Sequence, residues 1–71
     1  MNLMAVARRV LAEFEEMPEL TLTPRQASRF FGLSERDCHI VLDILVHAEC
    51  LRHTGSGKLT LGERAASRVA A

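Results

Sequence analysis

Two helix starts, with a glycine that ends the first helix just before the second start, constrain the fold of this chain more than any other feature of its sequence. Thr23 is followed directly by Pro24 and, three residues after the threonine, by Gln26. A capping hydroxyl, a proline at the first helical position and a glutamine at the third are together typical of a helix N-terminus. Gly32 suits the left-handed residue that closes a helix, so a helix is predicted over residues 24–31.

A second helix start follows that glycine almost at once. Ser34 is another capping hydroxyl, and Asp37 stands at the reciprocal capping position. The next helix is predicted roughly from Glu35 to Glu49. Its apolar face would hold Cys38, Val41, Leu42, Leu45 and Ala48, and its opposite face Arg36, His39, Ile40, Asp43 and His47. Helix, glycine, two residues, helix is the pattern of a helix-turn-helix.

The flanking segments predict one further helix and a β-hairpin. Residues 4–17 carry an apolar stripe at helical spacing, and Pro18 stops that helix. Residues 19–23 alternate as a short half-buried strand does. Residues 51–61 are typical of a hairpin, with glycines for the turn and alternating leucines for one apolar face. Residues 62–71 are expected either to form a short helix or to fray.

These elements predict a mainly α fold with a small β-hairpin. The 71 residues correspond to a single domain over residues 1–71, with its core in residues 4–61. Phe30 and Phe31 are predicted to be core residues. A chain of this length buries only roughly 60% of the surface that its unfolded form exposes. A homodimer or a protein partner is therefore expected.

Three features point to a cytoplasmic protein with no membrane association. No apolar run approaches the ~20 residues that span a bilayer. Arg8 and Arg9 follow apolar residues, which reverses the order of a secretory signal. Cys38 and Cys50 both fall in the predicted third helix, ~18 Å apart, too far to bridge each other. Reduced thiols in a reducing compartment are expected.

The charge distribution is more informative than the total. The net charge is zero, which counts against strong non-specific attraction to phosphate. Positive charge nevertheless dominates in residues 20–36 and 51–71, just before and after the third helix, whereas residues 1–19 and 37–50 are acidic overall.

The order of elements, with the stretch LTLTPRQASRFFGLSERDCHIVLDILVHAECLRHTGSGKLTL, resembles the winged-helix-turn-helix family of prokaryotic, mainly bacterial, transcription regulators. The resemblance covers residues 4–61. It implies a three-helix core with a two- or three-stranded wing sheet. It also implies that the helix over residues 34–49 reads the major groove of double-stranded DNA while the hairpin contacts phosphates or the minor groove. The candidate DNA-binding residues are Arg25, Arg29, Ser34, Arg36, His39, Ile40, Arg52, His53 and Lys58.

Each of these residue types has a role that its chemistry allows. Arg36 can donate two hydrogen bonds to guanine, and Ile40 can contact a thymine methyl group. Ser34 and Arg25 stand near helix starts, where phosphates bind. In the hairpin, Arg52, His53 and Lys58 flank the glycine-rich turn and add electrostatic contacts. The function expected from the resemblance is that of a transcription regulator or accessory factor.

A docking module for another protein is the alternative function. Glu35, Asp37 and Asp43 lie on or beside the third helix and would repel phosphate. Asp37 has a capping role and Glu35 suits a helix N-terminus, but Asp43 has neither explanation. A neutral chain with an exposed Ile40 would also suit a protein interface.

Metal binding and catalysis are not expected. His39, Asp43 and His47 share one helix face, but the two histidines are about 12 Å apart, too far for one ion. Whether His47, Cys50 and His53 bind a metal stays open. The sequence has no paired CxxC, no HExxH and no phosphate-binding loop before a helix. A single small core leaves little room for a catalytic site, so neither an enzyme activity, a cofactor nor a small-molecule substrate is predicted.

Overall fold

The computed structural model describes residues 2–62 and contains three helices followed by an antiparallel hairpin. The elements are α1 (Leu3–Glu16), α2 (Pro24–Phe31), α3 (Glu35–His47), β1 (Leu51–His53) and β2 (Leu59–Leu61). The expected mainly α fold with a small hairpin is confirmed. The prediction for the tail falls almost wholly on residues 63–71, outside the described residues. None of the three helices has the length and apolar character that crossing a bilayer requires.

Helix α1 begins at an asparagine cap and ends one residue earlier than predicted. The Asn2 side chain accepts hydrogen bonds from the backbone N–H groups of Met4 and Ala5, at 3.0 and 3.2 Å. Met17 is the C-cap, and its side chain is 41% exposed, so it does not extend the buried stripe. The buried residues of α1 are Ala7, Val10 and Phe14.

The predicted strand over residues 19–23 is reduced to a single bridge. Leu22 and Leu59 exchange two backbone hydrogen bonds, of 3.0 and 2.6 Å, as an antiparallel pair does. Thr23 already caps α2, and Pro24 has no N–H, so the pairing cannot continue. The Thr60 hydroxyl adds a hydrogen bond to the Leu20 carbonyl at 3.2 Å. The hairpin therefore has a third strand at one position only.

The predicted hairpin over residues 51–61 is confirmed. Leu51 pairs with Leu61, and the register continues to His53 opposite Leu59. Gly57 takes a φ of 80°, which explains a glycine in the turn. The three leucines of the two strands are buried, so the hairpin packs its apolar face onto the helices.

Helix α3 ends at His47, and the prediction that it reaches Glu49 was wrong. Glu49 adopts a left-handed conformation with φ 63°. Its N–H donates to the Val46 carbonyl and the Cys50 N–H donates to the Leu45 carbonyl, the hydrogen-bond pattern of a Schellman motif. The reversal carries the chain into β1. Cys50 therefore lies beyond the helix rather than within it, and both cysteines are free.

One apolar core draws on every element, but the expectation that Phe30 belongs to it was wrong. Phe31 is 8% exposed, and its ring lies 6.2 Å from that of Phe14. Phe30 is 50% exposed and meets Phe31 edge-on at 4.9 Å. A two-turn helix presents one row to the core, and in α2 that row is Ala27 and Phe31, four residues apart.

Candidate nucleic-acid interface

Capping hydrogen bonds and a left-handed glycine keep α2 and α3 of the α2–turn–α3 unit as two separate helices. At the start of α2 the Thr23 hydroxyl accepts from the Gln26 N–H at 3.1 Å, and the Gln26 side chain accepts from the Thr23 N–H at 3.0 Å. The predicted capping box is therefore complete. At the end of α2, Gly32 is left-handed, with φ 66° and ψ 34°, as its position predicted. The Ser34 hydroxyl then accepts from the Asp37 N–H at 3.1 Å and starts α3.

Two further hydrogen bonds fix the turn itself. The Leu33 N–H donates to the Ser28 carbonyl at 3.0 Å, and the Ser28 hydroxyl donates back to the Leu33 carbonyl at 2.6 Å. Leu33 is also partly buried against the core. Because the turn is bonded on both sides and anchored by an apolar side chain, it holds α2 and α3 in one relative orientation.

An open concavity, here called the α2–α3 groove, lies where the N-terminal ends of these two helices meet. It has a volume of about 650 Å³ and is lined by Pro24, Arg25, Glu35, Arg36, His39 and Ile40. Four of the nine predicted DNA-binding residues are therefore brought together: Arg25, Arg36, His39 and Ile40. The two arginines are exposed, and Ile40 is half-buried. The groove thus combines two cations and the carboxylate of Glu35 with an apolar patch.

Two lining residues, Pro24 and Glu35, were not predicted. Each is the first residue of its helix, directly after a recognised cap. Both caps could be read from the sequence, so the two helix starts were available as a signal. What the sequence did not supply was the convergence of those starts on one concavity, because that depends on the angle set by the turn.

Acidic residues on α3 are placed in two different ways. Glu35 and Asp37 lie in the first turn, where the partial positive charge of a helix N-terminus stabilises carboxylates. Asp43 lies farther along, on the exposed face. Its Oδ2 atom is 3.7 Å from Nε2 of His39, and the two side chains are 61% and 75% exposed. This contact is an ion pair only when the imidazole is protonated, and at such exposure it adds little to stability.

The hairpin residues occupy a separate place. Arg52 and His53 are exposed on β1 and line a second concavity of about 310 Å³ with Val46, Glu49, Leu51 and Gly62. It shares no residue with the α2–α3 groove. Val46 lies ten residues after Arg36, which corresponds to ~15 Å along a helix. The structure therefore does not bring the basic residues of the hairpin into the groove.

The remaining predicted residues are exposed but line neither concavity. Arg29 lies in the last turn of α2, and Lys58 lies at the end of the hairpin turn. The side chain of Ser34 is engaged in capping α3. As a hydroxyl it retains a proton to donate, so capping does not exclude a phosphate contact.

The cysteines and histidines do not assemble into a metal site in the described part of the chain. Within residues 2–62 no three side chains of His, Cys, Asp or Glu lie close enough together to hold an ion, and this includes His47, Cys50 and His53. Burial raises the pKa of the Cys38 thiol, which keeps it protonated and unreactive.

Comparison with protein-family models, with curated proteins and with solved structures gives no match to this chain. What the geometry offers is a cationic, partly apolar groove at two helix N-termini, continuous with the exposed face of α3. Such a surface suits an anionic ligand that also presents apolar edges.

Proposed function

We propose that this chain is a winged-helix DNA-binding protein that acts as a transcription regulator or accessory factor. The observation that carries the proposal is the α2–α3 groove, in which an arginine from each helix flanks the exposed N-terminal half of α3. In a helix-turn-helix that half contacts base edges while the preceding helix contacts the backbone. The two separately capped helices of the α2–turn–α3 unit suit that arrangement.

The spacing on α3 fits two positions of a major groove. Arg36 and Ile40 are one helical turn apart, ~6 Å along the axis. Base pairs stack ~3.4 Å apart, so the two side chains match a separation of about two steps. Arg36 would donate to guanine O6 and N7, and Ile40 would contact a thymine methyl group.

Phosphate contacts would come from both sides of α3. Arg25, at the N-terminus of α2, would contact one strand, and Arg29 and Ser34 would add contacts from the end of α2 and the start of α3. The hairpin would serve as the wing, where Arg52, His53 and Lys58 meet a different part of the duplex, since they lie apart from the α2–α3 groove. With zero net charge, the affinity for random duplex should be low and binding should depend on this local grouping.

Fluorescence anisotropy with labelled duplex tests the proposal. A duplex of about 20 base pairs, selected from a randomised pool, would be titrated between ~50 and ~200 mM salt. Arg36→Ala should weaken binding by roughly 1–3 kcal/mol and relax the sequence preference. Arg25→Ala should weaken binding to all sequences alike and reduce the salt slope by about one.

Arg9→Ala is the matched control, because Arg9 is also an exposed arginine, lies on α1 and lines neither concavity. It removes the same charge and should leave affinity nearly unchanged. If the three variants lose affinity equally, binding is a diffuse charge effect and the proposed interface is wrong. If no duplex binds at the lowest salt, DNA binding itself is refuted.

A docking role is the second candidate, and one observation favours it. The Phe30 side chain is 50% exposed on α2, where it is the largest apolar side chain outside the core. Buried aromatic side chains are frequent anchors of protein interfaces. Phe30→Ser would abolish association with such a partner, or with a second copy measured by light scattering, and would leave DNA affinity intact.

A further inference from the structure

We propose that DNA binding by this protein is coupled to protonation of His39, which makes the α2–α3 groove a pH-dependent phosphate-binding site. This inference rests on the proposed function and adds a mode of regulation to the same site. It starts from the contact between His39 Nε2 and Asp43 Oδ2, 3.7 Å apart on the exposed face of α3.

The charges around His39 nearly cancel. The groove contributes Arg25 from α2 and, from α3, Arg36 and Glu35; Asp43 adds a second carboxylate one turn beyond His39. Two cations and two anions leave the site neutral when the imidazole is uncharged. Protonation of the imidazole would add one positive charge and make the site cationic.

The carboxylate of Asp43 is the reason that the charge of His39 would affect DNA binding. Its carboxylate is 61% exposed on the face that would approach the duplex, and a carboxylate near phosphate is repelled. A protonated His39 has two N–H donors. Nε2 lies 3.7 Å from the Asp43 carboxylate, so its proton would partly offset that charge, and Nδ1–H would remain for a phosphate oxygen. The proton comes from solvent and is taken up as the complex forms.

The other two histidines are placed differently. His47 Nδ1 lies 3.1 Å from the Asp43 backbone carbonyl, so its Nδ1–H is used within the helix, and His47 does not line the groove. His53 lies on β1 in the second concavity. Of the chain's three histidines, only His39 therefore lines the α2–α3 groove together with both arginines.

The test compares the pH dependence of affinity in two complementary variants. Wild type, His39→Gln and the control His47→Gln would be titrated with the selected duplex from about pH 5.5 to about pH 8 at constant salt. Wild type and His47→Gln should bind roughly tenfold more tightly at the acidic end, since tenfold is the change in affinity that a one-unit shift of a linked pKa produces. His39→Gln should lose most of this pH dependence.

A flat profile for His47→Gln together with a steep one for His39→Gln would overturn the inference, as would three equal slopes, and DNA binding would stand. Absence of binding at every pH would refute the proposed function instead. Calorimetry of the wild-type complex in two buffers of different ionisation enthalpy gives an independent readout. Net proton uptake near neutral pH that disappears in His39→Gln supports the coupling, and uptake unchanged by that substitution contradicts it.

Discussion

Gly62→Ala should destabilise the protein more than the small size of the added methyl group suggests. Gly62 follows β2, and its N–H donates to the Cys50 carbonyl at 2.8 Å. A Cβ atom at this position would overlap the Glu49 carbonyl oxygen and lie 3.0 Å from its carbonyl carbon. Both obstacles are backbone atoms of the left-handed turn after α3, so no side-chain rotation relieves them.

The magnitude follows from what must move. Overpacking of this kind costs about 1–3 kcal/mol. Separating the two segments also loses a hydrogen bond worth about 0.5–1.5 kcal/mol. The total, about 2–4 kcal/mol, is a large fraction of the roughly 4–10 kcal/mol typical of a domain of this length. At about 4–8 °C per kcal/mol, the melting temperature should fall by roughly 10–30 °C.

Thermal and urea unfolding followed by circular dichroism measure this effect, with Gly55→Ala as the matched control. A Cβ at Gly55 would meet no atom within 4 Å, and its backbone does not require glycine. Gly55→Ala should change stability by less than about 0.5 kcal/mol. Equal stabilities for the two alanine variants would refute the close packing of the hairpin against the end of α3.

Three further predictions concern the same end of α3 and the core. Glu49→Gly should stabilise the fold by about 0.5–1 kcal/mol in urea unfolding. A residue other than glycine in the left-handed conformation costs about 1–2 kcal/mol, and the greater entropy of glycine in the unfolded chain offsets part of the stability gained by removing that cost. A loss of stability would contradict the assigned conformation. In native protein, a thiol reagent should modify half-buried Cys50 well before Cys38, which is 2% exposed. Burial raises the pKa of Cys38, so the stability that its neutral thiol contributes is complete below the ordinary thiol pKa and is lost as pH rises through the folded-state pKa. In Cys38→Ala this loss of stability at alkaline pH should be smaller. An unchanged loss would mean that another group causes it.

The two helix starts and the left-handed Gly32 could be predicted from the sequence because they depend on interactions between residues close together in the chain. A capping hydroxyl at Thr23 or Ser34 acts on a backbone N–H three residues away, so its partners are visible in the chain itself. The end of α3 was missed for the opposite reason. Its left-handed residue is Glu49, not glycine, and tertiary packing of the buried Leu51 just beyond it favours the reversal.

The candidate site was only partly accessible from sequence. The exposed face of α3, including the four-residue spacing of His39 and Asp43, follows from helical periodicity. Two features depend on tertiary geometry that periodicity does not contain: the convergence of Arg25 and Arg36 on one groove, and the separation of Arg52 from it.

Residue-level mapping of DNA contacts tests the central claim most directly. Backbone amide resonances of isotope-labelled protein would be followed by NMR during titration with the selected duplex. Proton-linked binding at the α2–α3 groove predicts the largest shifts at Arg25, Arg36, His39 and Ile40, and little change around Arg9 on α1. Shifts concentrated on α1, or none at saturating duplex, would contradict it.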